Sequence, residues 1–261
     1  MSDALIGYSG FVGSTLLRQH PFQHRFRSVN IKDIDGLRFD LVVCAAAPAQ
    51  KWIANCEAEA DHQKIQALIS HIKTIQCKTF ILISTVDVFK TPICVNEDSQ
   101  VDETGLQPYG LHRRMLEKFV EGNFVNYLIV RLPGLVGPGL RKNVIFDLLN
   151  NNNLHAIESR GVFQFYPMVN LWCDIQTALK AGLNLVHLTA EPISVGELSV
   201  KGFGITFDQT LANSPVTYDL RSKHAHIFGG DGVYQYSKRE TIHAVRAYAQ
   251  TESTFKLAKG R

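Results

Sequence analysis

The chain has 261 residues, 45% of them hydrophobic, and a formal net charge of +3. That length suits one large α/β domain, alone or with a small appended lobe, and so mild a charge gives no reason to expect nucleic acid or a membrane surface as partner. No apolar run approaches the roughly 18 residues a membrane-spanning helix needs, no basic stretch followed by a long apolar one opens the chain, and the cysteines at 44, 56, 77, 94 and 173 are odd in number, so reduced thiols in a cytoplasmic protein are expected.

Residues 4–6 form an apolar run ending at Gly7, a first strand that begins almost at Met1. Residues 11–19 carry Phe11, Val12, Leu16 and Leu17 at helical spacing. A second strand is predicted over 26–31. Residues 41–47 are continuously apolar, as in a parallel strand buried on both faces. Residues 58–75 hold Ile65, Leu68, Ile69 and Ile72 at helical spacing. A strand follows at 79–84, a helix at 109–121 and a strand at 127–132. This alternation implies βαβ units with right-handed crossovers, in a Rossmann-type doubly wound parallel sheet.

The second half is less regular. Helices are predicted over 144–149, 169–185 and 238–251, with the polar run 150–153 as a loop. Pro133, Pro138, Pro167, Pro192 and Pro215 divide the rest into short segments. Phe163, Phe165 and Tyr166 alternate with polar residues, as in a half-buried strand that packs the lobe or lines a substrate pocket. Residues 1–140, completed by 169–190, are assigned to a dinucleotide-binding domain. Residues 141–168 and 191–261 are assigned to a small substrate-binding lobe at the carboxyl edge of the sheet, where open α/β sheets bind ligands. His224 and His226 are two apart but lack companions for a metal site. Lys256, Lys259 and Arg261 read as a frayed basic end.

The strongest local signal is Gly7-Tyr8-Ser9-Gly10-Phe11-Val12-Gly13 between the first strand and first helix. The first glycine allows a tight turn, the second leaves room for a pyrophosphate, and the third lets helix and strand approach. The helix start then offers N–H groups and a partial positive charge to phosphates. Gly7, Ser9, Gly10, Phe11, Val12 and Gly13 are therefore cofactor-binding candidates. The spacing is not that of a nucleoside-triphosphate loop, because no Gly-Lys-Ser/Thr follows.

Further segments recur in a telling order: Asp40 to Ala47, Ile83-Ser84-Thr85-Val86-Asp87-Val88-Phe89, Tyr109-Gly110-Leu111-His112-Arg113, and Arg131 to Pro138. With the Gly-x-x-Gly-x-x-Gly turn, these resemble the extended short-chain dehydrogenase/reductases, a group of nucleotide-sugar epimerases, dehydratases and reductases. The resemblance covers residues 4–140 well and the rest loosely. It implies NAD or NADP as cofactor, and Thr85, Tyr109 and Arg113 as the catalytic positions, with Ser84 as second choice for the hydroxyl. It also implies cofactor contacts at Ala45, Ala46, Tyr109, Arg113 and Pro133.

The chemistry is arguable from the side chains. A tyrosine can exchange a proton beside a hydride path if its phenol is made more acidic. A cation four residues on lies one helical turn away on the same face. A hydroxyl at Thr85 can hold the reacting oxygen. Position 113 departs from the family, which has lysine there, and Arg and Lys are not interchangeable in a tight site. For the ribose end, Asn30, Lys32 and Asp33 are candidates, and NAD and NADP both stay open. Arg141 and Asn143, beside Lys142, are candidates to meet a substrate's nucleotide. The resulting expectation is an NAD(P)-dependent reductase or epimerase of a nucleotide-linked sugar. A dinucleotide-binding sensor or scaffold without turnover, and a reductase of a small non-nucleotide carbonyl compound, are the alternatives. Helices over 58–75 and 109–121 are candidates for a homodimer contact.

Overall fold

The computed structural model describes residues 2–252; the basic end at Lys256, Lys259 and Arg261, and Met1, lie outside them. The chain divides into two compact units. The first comprises residues up to Thr91, Glu97–Leu132 and Asn170–His187; the second comprises Pro92–Asn96, Pro133–Val169 and everything from Leu188 on. Residues 133–140, grouped by sequence with the cofactor domain, fall in the second unit.

The first unit begins with β1 (Asp3–Ile6), α1 (Phe11–Gln19), β2 (His24–Phe26), β3 (Arg38–Cys44), α2 (Lys51–Cys56), α3 (Ala58–Ile72) and β4 (Gln76–Thr85). The chain then supplies β5 (Ile93–Val95) to the second unit and returns with α4 (Pro108–Asn123) and β6 (Tyr127–Leu132). The second unit resumes with β7 (Gly134–Val136), α5 (Val144–Asn150), β8 (Val162–Phe163) and β9 (Phe165–Pro167). The first closes with α6 (Leu171–Lys180) and β10 (Leu185–His187), and the second with β11 (Ile193–Ser194), α7 (Val195–Leu198), β12 (Asp219–Leu220) and α8 (Lys238–Thr251).

The central sheet is six-stranded and parallel, in the order β10-β6-β4-β3-β1-β2. The order reverses between β1 and β3, which makes the sheet doubly wound, and in such sheets ligands bind outside the carboxyl ends of the strands at the reversal point. Compared with the Rossmann order 3-2-1-4-5-6, one outer strand is missing. Only residues 27–37 join β2 to β3, too few for a helix and another strand, and the 3₁₀ turn Ile31–Ile34 fills the gap.

Alternation buries both sheet faces. Ala4, Ile6, Val42, Cys44, Phe80, Leu82 and Ile129 pack with Ile65, Leu68 and Ile72 of α3 and with Leu116 and Val120 of α4. Each fully buried aliphatic chain contributes about 1.5–3 kcal/mol. Leu5, Val43, Ile81, Leu128 and Val130 are also buried, on the alternate strand positions. On the remaining helices α1 is tied to α6: the Trp172 amide donates to Gln19 Oε1 at 3.0 Å, and the Trp172 and His20 rings stack at 4.2 Å.

Several sequence expectations are corrected. The predicted strand 26–31 is the end of β2 followed by a turn: Asn30 accepts from the Arg27 amide at 2.8 Å and donates to Arg25 O at 3.1 Å, which stops the extension. The predicted helix 169–185 is a helix followed by a strand, because Gly182 adopts φ +70° and ends the helix. β10 then pairs with β6. The helix expected over 58–75 stops at Ile72, and α2 went unpredicted. In the second unit, Phe163 and Phe165 sit in two different short strands. Phe165 and Tyr166 are both buried, as is Gln164 between them. Gln164 is satisfied by Thr189, Ala190 and Leu220, so this segment is core and not a half-buried strand. His224 and His226 lie at a 3₁₀ turn. Among the described residues no group of His, Cys, Asp and Glu suits a metal ion, and no helix is long and apolar enough to cross a membrane.

Candidate active site

The glycine turn sits at the crevice end of β1. Gly7 has φ +88°, and its amide donates to Phe26 O at 2.8 Å, so the end of β2 lies beside it. A Cβ on Gly7 would come within 2.5 Å of Ala45 O, and one on Gly13 within 2.1 Å of Gly7 O. Ala45 and Ala46 follow β3 directly, and the Ala45 amide donates to Ile6 O at 2.8 Å. Glycine is required at 7 and 13 by the protein itself. Gly10 differs: a Cβ there would meet only Gly7 O at 3.5 Å, and the residue is exposed. The bare position therefore leaves space on the solvent side, where a ligand's phosphates fit. Gly10 also caps α1 with no side-chain hydrogen bond, and no acidic residue occupies the first turn. The first amides of α1 are thus left for an anion.

Beside this turn, Asn30 uses its side chain to close the 27–30 turn, and Lys32 is exposed on the following 3₁₀ turn. The residue next to the glycines is Arg27, immediately after β2, with its guanidinium over the Tyr8 ring at 5.7 Å. Sequence spacing missed it because the expected strand ran on to residue 31.

Thr85 ends β4 and Tyr109 opens α4. Gly110 allows their approach: a Cβ there would lie 2.0 Å from Asp87 O. The Tyr109 amide donates to Asn55 Oδ1 of α2 at 2.9 Å, which fixes the start of α4. The Thr85 hydroxyl accepts from the Asp87 amide at 3.2 Å and lies 3.4 Å from Asp87 Oδ2. Tyr109 and Thr85 are each half-buried. Ser84, the second choice, is instead buried and donates to Glu117 Oε1 at 2.6 Å. Glu117 also accepts from Arg131 at 2.9 and 2.7 Å and from Arg114 at 2.9 Å.

Arg113 faces inward. It is 2% exposed and grips Asp61 with both terminal nitrogens, Nη1 to Oδ2 at 2.5 Å and Nη2 to Oδ1 at 3.1 Å. Nη1 also donates to Tyr109 O at 3.2 Å, and Nη2 donates to Pro48 O. Its guanidinium lies over the Tyr109 ring at 3.9 Å, and its Nε has no partner. His112 Nδ1 meets the same Asp61 Oδ2 at 2.7 Å. Burial pushes the Asp61 carboxyl up, but the hydrogen bonds from Arg113 and His112 outweigh it and hold Asp61 below the ordinary range.

Tyr109 was expected to be made more acidic. The balance runs the other way, because burial pushes its phenol above its ordinary value. The Arg113 charge opposes that rise, Asp87 adds to it, and Thr85 and Lys51 oppose it. Lys51, on α2, pairs with Asp87 Oδ1 at 2.7 Å. Neither Lys51 nor Asp87 was singled out from sequence: 36 residues separate them, Lys51 belongs to no quoted segment, and Asp87 stood in the strand-end segment without a role.

The remaining candidates are in the second unit. Asn143, at φ +87°, caps α5 by accepting from the Ile145 amide at 2.9 Å and donates to Leu135 O at 2.9 Å, so both ends of its amide are used by the backbone. Arg141 is exposed, and Pro133 precedes β7.

The strand order with its glycine turn at the reversal point defines a Rossmann-type, doubly wound α/β fold. Among solved structures, the chain is similar to a dTDP-4-dehydrorhamnose reductase from Clostridium acetobutylicum (16% identity, TM-score 0.73, covering 96% of this chain and 99% of that one). It is likewise similar to a UDP-galactose 4-epimerase (16% identity, TM-score 0.71, 96% and 98%). A third is RMD from Pseudomonas aeruginosa complexed with NADPH (15% identity, TM-score 0.71, 96% and 98%). No family model matches the sequence, and no curated protein matches it.

Proposed function

We propose that the chain is an NAD(P)-dependent reductase or epimerase acting on a nucleotide-linked sugar. The observation that carries this reading is the close packing of the start of α4, which holds Tyr109, on the turn that follows Thr85 at the carboxyl end of β4, in a sheet whose reversal point holds an uncapped glycine turn. The fold likeness to nucleotide-sugar reductases and epimerases supports the substrate class.

A dinucleotide fits the turn, since Gly10 is bare toward solvent and the α1 amides are uncapped. The pyrophosphate would be held by the amides of Phe11, Val12 and Gly13, with Ala45 and Ala46 leaving room beside it. When bound, the nicotinamide supplies or takes the hydride. Thr85 orients the substrate oxygen by donating its hydroxyl proton, and Tyr109 gives a proton to that oxygen or takes it. Because burial raises the phenol, Tyr109 is protonated at neutral pH and suited to the donor role in reduction. Arg27 favours NADP: a guanidinium just after β2, over the Tyr8 ring of the glycine turn and 20 residues past Gly7, where a ribose-binding carboxylate would otherwise stand, suits a 2′-phosphate.

The test is titration of purified protein with NADPH and NADH, followed by turnover on a panel of dTDP-, UDP- and GDP-linked 4-keto sugars and their alcohols. Expected are tighter binding of NADPH, loss of that preference in Arg27→Ala, and turnover abolished in Tyr109→Phe. No hydride exchange with any of these sugars, despite dinucleotide binding, sinks the enzyme reading. That outcome fits a second one, a dinucleotide sensor or scaffold, which is favoured by Arg113 being held by Asp61 and Pro48.

A further inference from the structure

Where a lysine would project one turn after the tyrosine, this chain has a guanidinium that is already occupied. Both terminal nitrogens of Arg113 are bound to Asp61, and one also to Pro48 O. The guanidinium carbon of Arg113 lies over the Tyr109 ring, 3.9 Å from its centroid, and Nη1 donates to Tyr109 O. A second cation comes from a different helix. Lys51 starts α2, and Asn55 of the same helix holds the Tyr109 amide at 2.9 Å. The Lys51 ammonium meets Asp87 Oδ1 at 2.7 Å, and the other Asp87 oxygen lies 3.4 Å from the Thr85 hydroxyl. The lysine side chain is 45% exposed, so its ammonium stays in contact with solvent, unlike the guanidinium at 113.

The geometry points to Lys51 as the positioning cation of this site: held on Asp87, whose other oxygen faces the Thr85 hydroxyl, and carried on the helix whose Asn55 holds the Tyr109 amide, it sets the charge on that side of Tyr109. This deepens the reductase or epimerase reading and rests on it. The charged groups around Tyr109 come from every neighbouring element. Arg113 and His112 belong to its own helix, Asp61 to α3, Asp87 to the turn after β4, and Lys51 to α2. Arg113, Asp61 and His112 form a closed buried set beneath the ring. Lys51 and Asp87 are therefore the pair that can be altered without disturbing that set. Both act on the Tyr109 phenol with opposite sign, Asp87 raising it and Lys51 lowering it.

The opposite signs make the test. A difluorotyrosine installed at position 109 ionises nearer neutrality, where Lys51 is still charged, and its ¹⁹F signal reports the midpoint with neither cofactor nor substrate present. Lys51→Met should raise the midpoint, since it removes a positive charge that favours the phenolate. Asp87→Asn should lower it, and Lys51→Arg should leave it near the parent value. A lysine that merely ties α2 to the turn after β4 would give the same direction of shift in Lys51→Met and Asp87→Asn, since either change breaks the same tie. That result, or an unmoved midpoint in both Lys51→Met and Lys51→Gln, overturns the proposal. The readout is independent of turnover. A chain that reduces no sugar but shows the opposed shifts would refute the proposed activity and leave the role of Lys51 standing.

Discussion

The Arg113–Asp61 pair allows a quantitative prediction. Their side chains are 3% and 4% exposed, and the carboxylate also accepts from His112. Arg113→Met removes the cation and leaves Asp61 buried with only the imidazole. Breaking a buried pair from one side costs about 3–5 kcal/mol, which in a chain of this size lowers the melting temperature by on the order of 10 °C. Arg113→Lys keeps the charge, but one ammonium cannot reach both Asp61 oxygens and Pro48 O together. Losing part of that charge-assisted set costs about 2–3 kcal/mol. Arg113→Met combined with Asp61→Leu should cost well under the sum, because no orphan charge remains. Urea unfolding followed by circular dichroism measures all three, with dinucleotide affinity as a parallel readout. Since the guanidinium faces inward, the affinity of Arg113→Lys should stay within about threefold of the parent, well below one tenfold step of 1.4 kcal/mol. An Arg113→Met variant within about 1 kcal/mol of the parent would refute the reasoning. So would a Lys variant that binds dinucleotide tenfold tighter.

Glu117 should dominate the acid limb of stability. Burial pushes its carboxyl up, yet Arg131, Ser84 and Arg114 hold the folded value below the ordinary 4.5. Its contribution is therefore fully present above about that pH and is lost as pH falls through the lower folded value; Glu117→Gln, followed by thermal melts from neutral pH to pH 3, should lower neutral stability by about 3 kcal/mol and flatten the acid slope. Gly10→Ala should unfold like the parent but bind dinucleotide at least about tenfold more weakly by calorimetry, a 1.4 kcal/mol effect. Gly13→Ala should fail to fold stably, because its Cβ would lie 2.1 Å from Gly7 O. Gly110→Ala should push α4 off the Asp87 carbonyl; an unfolding midpoint and a turnover rate both equal to the parent's would contradict the close approach of 2.0 Å.

The parallel sheet was legible because its strands are buried on both faces. Runs such as 41–47 and 79–84 are apolar without alternation, and only their ends moved. The glycine turn was legible because local backbone demands are written in neighbouring residues, whereas Thr85 and Tyr109 were singled out by the family resemblance. What escaped depended on partners far apart in sequence. Asp61 is an unremarked carboxylate on a polar helix until Arg113 meets it across 52 residues. Lys51 and Asp87 are equally silent alone. Short elements escaped for a different reason. α2 has six residues, too few to show a helical period, and β10 has three, merged into the apolar tail of the preceding helix. Arg27 was passed over because the second strand was drawn too long.

The missing outer strand also has a consequence for solubility. It leaves β2 as a border of the sheet, with backbone groups on one side facing no further strand. Such borders recruit strands from other chains and seed aggregates. Here the border is three residues long, and His24 and Arg25 are exposed on it. The Asn30 turn then bends the chain away at once. Shortness and polarity together deny an incoming strand a flat template. Extending β2 into the 26–31 stretch would restore a longer template and should be read out as concentration-dependent self-association.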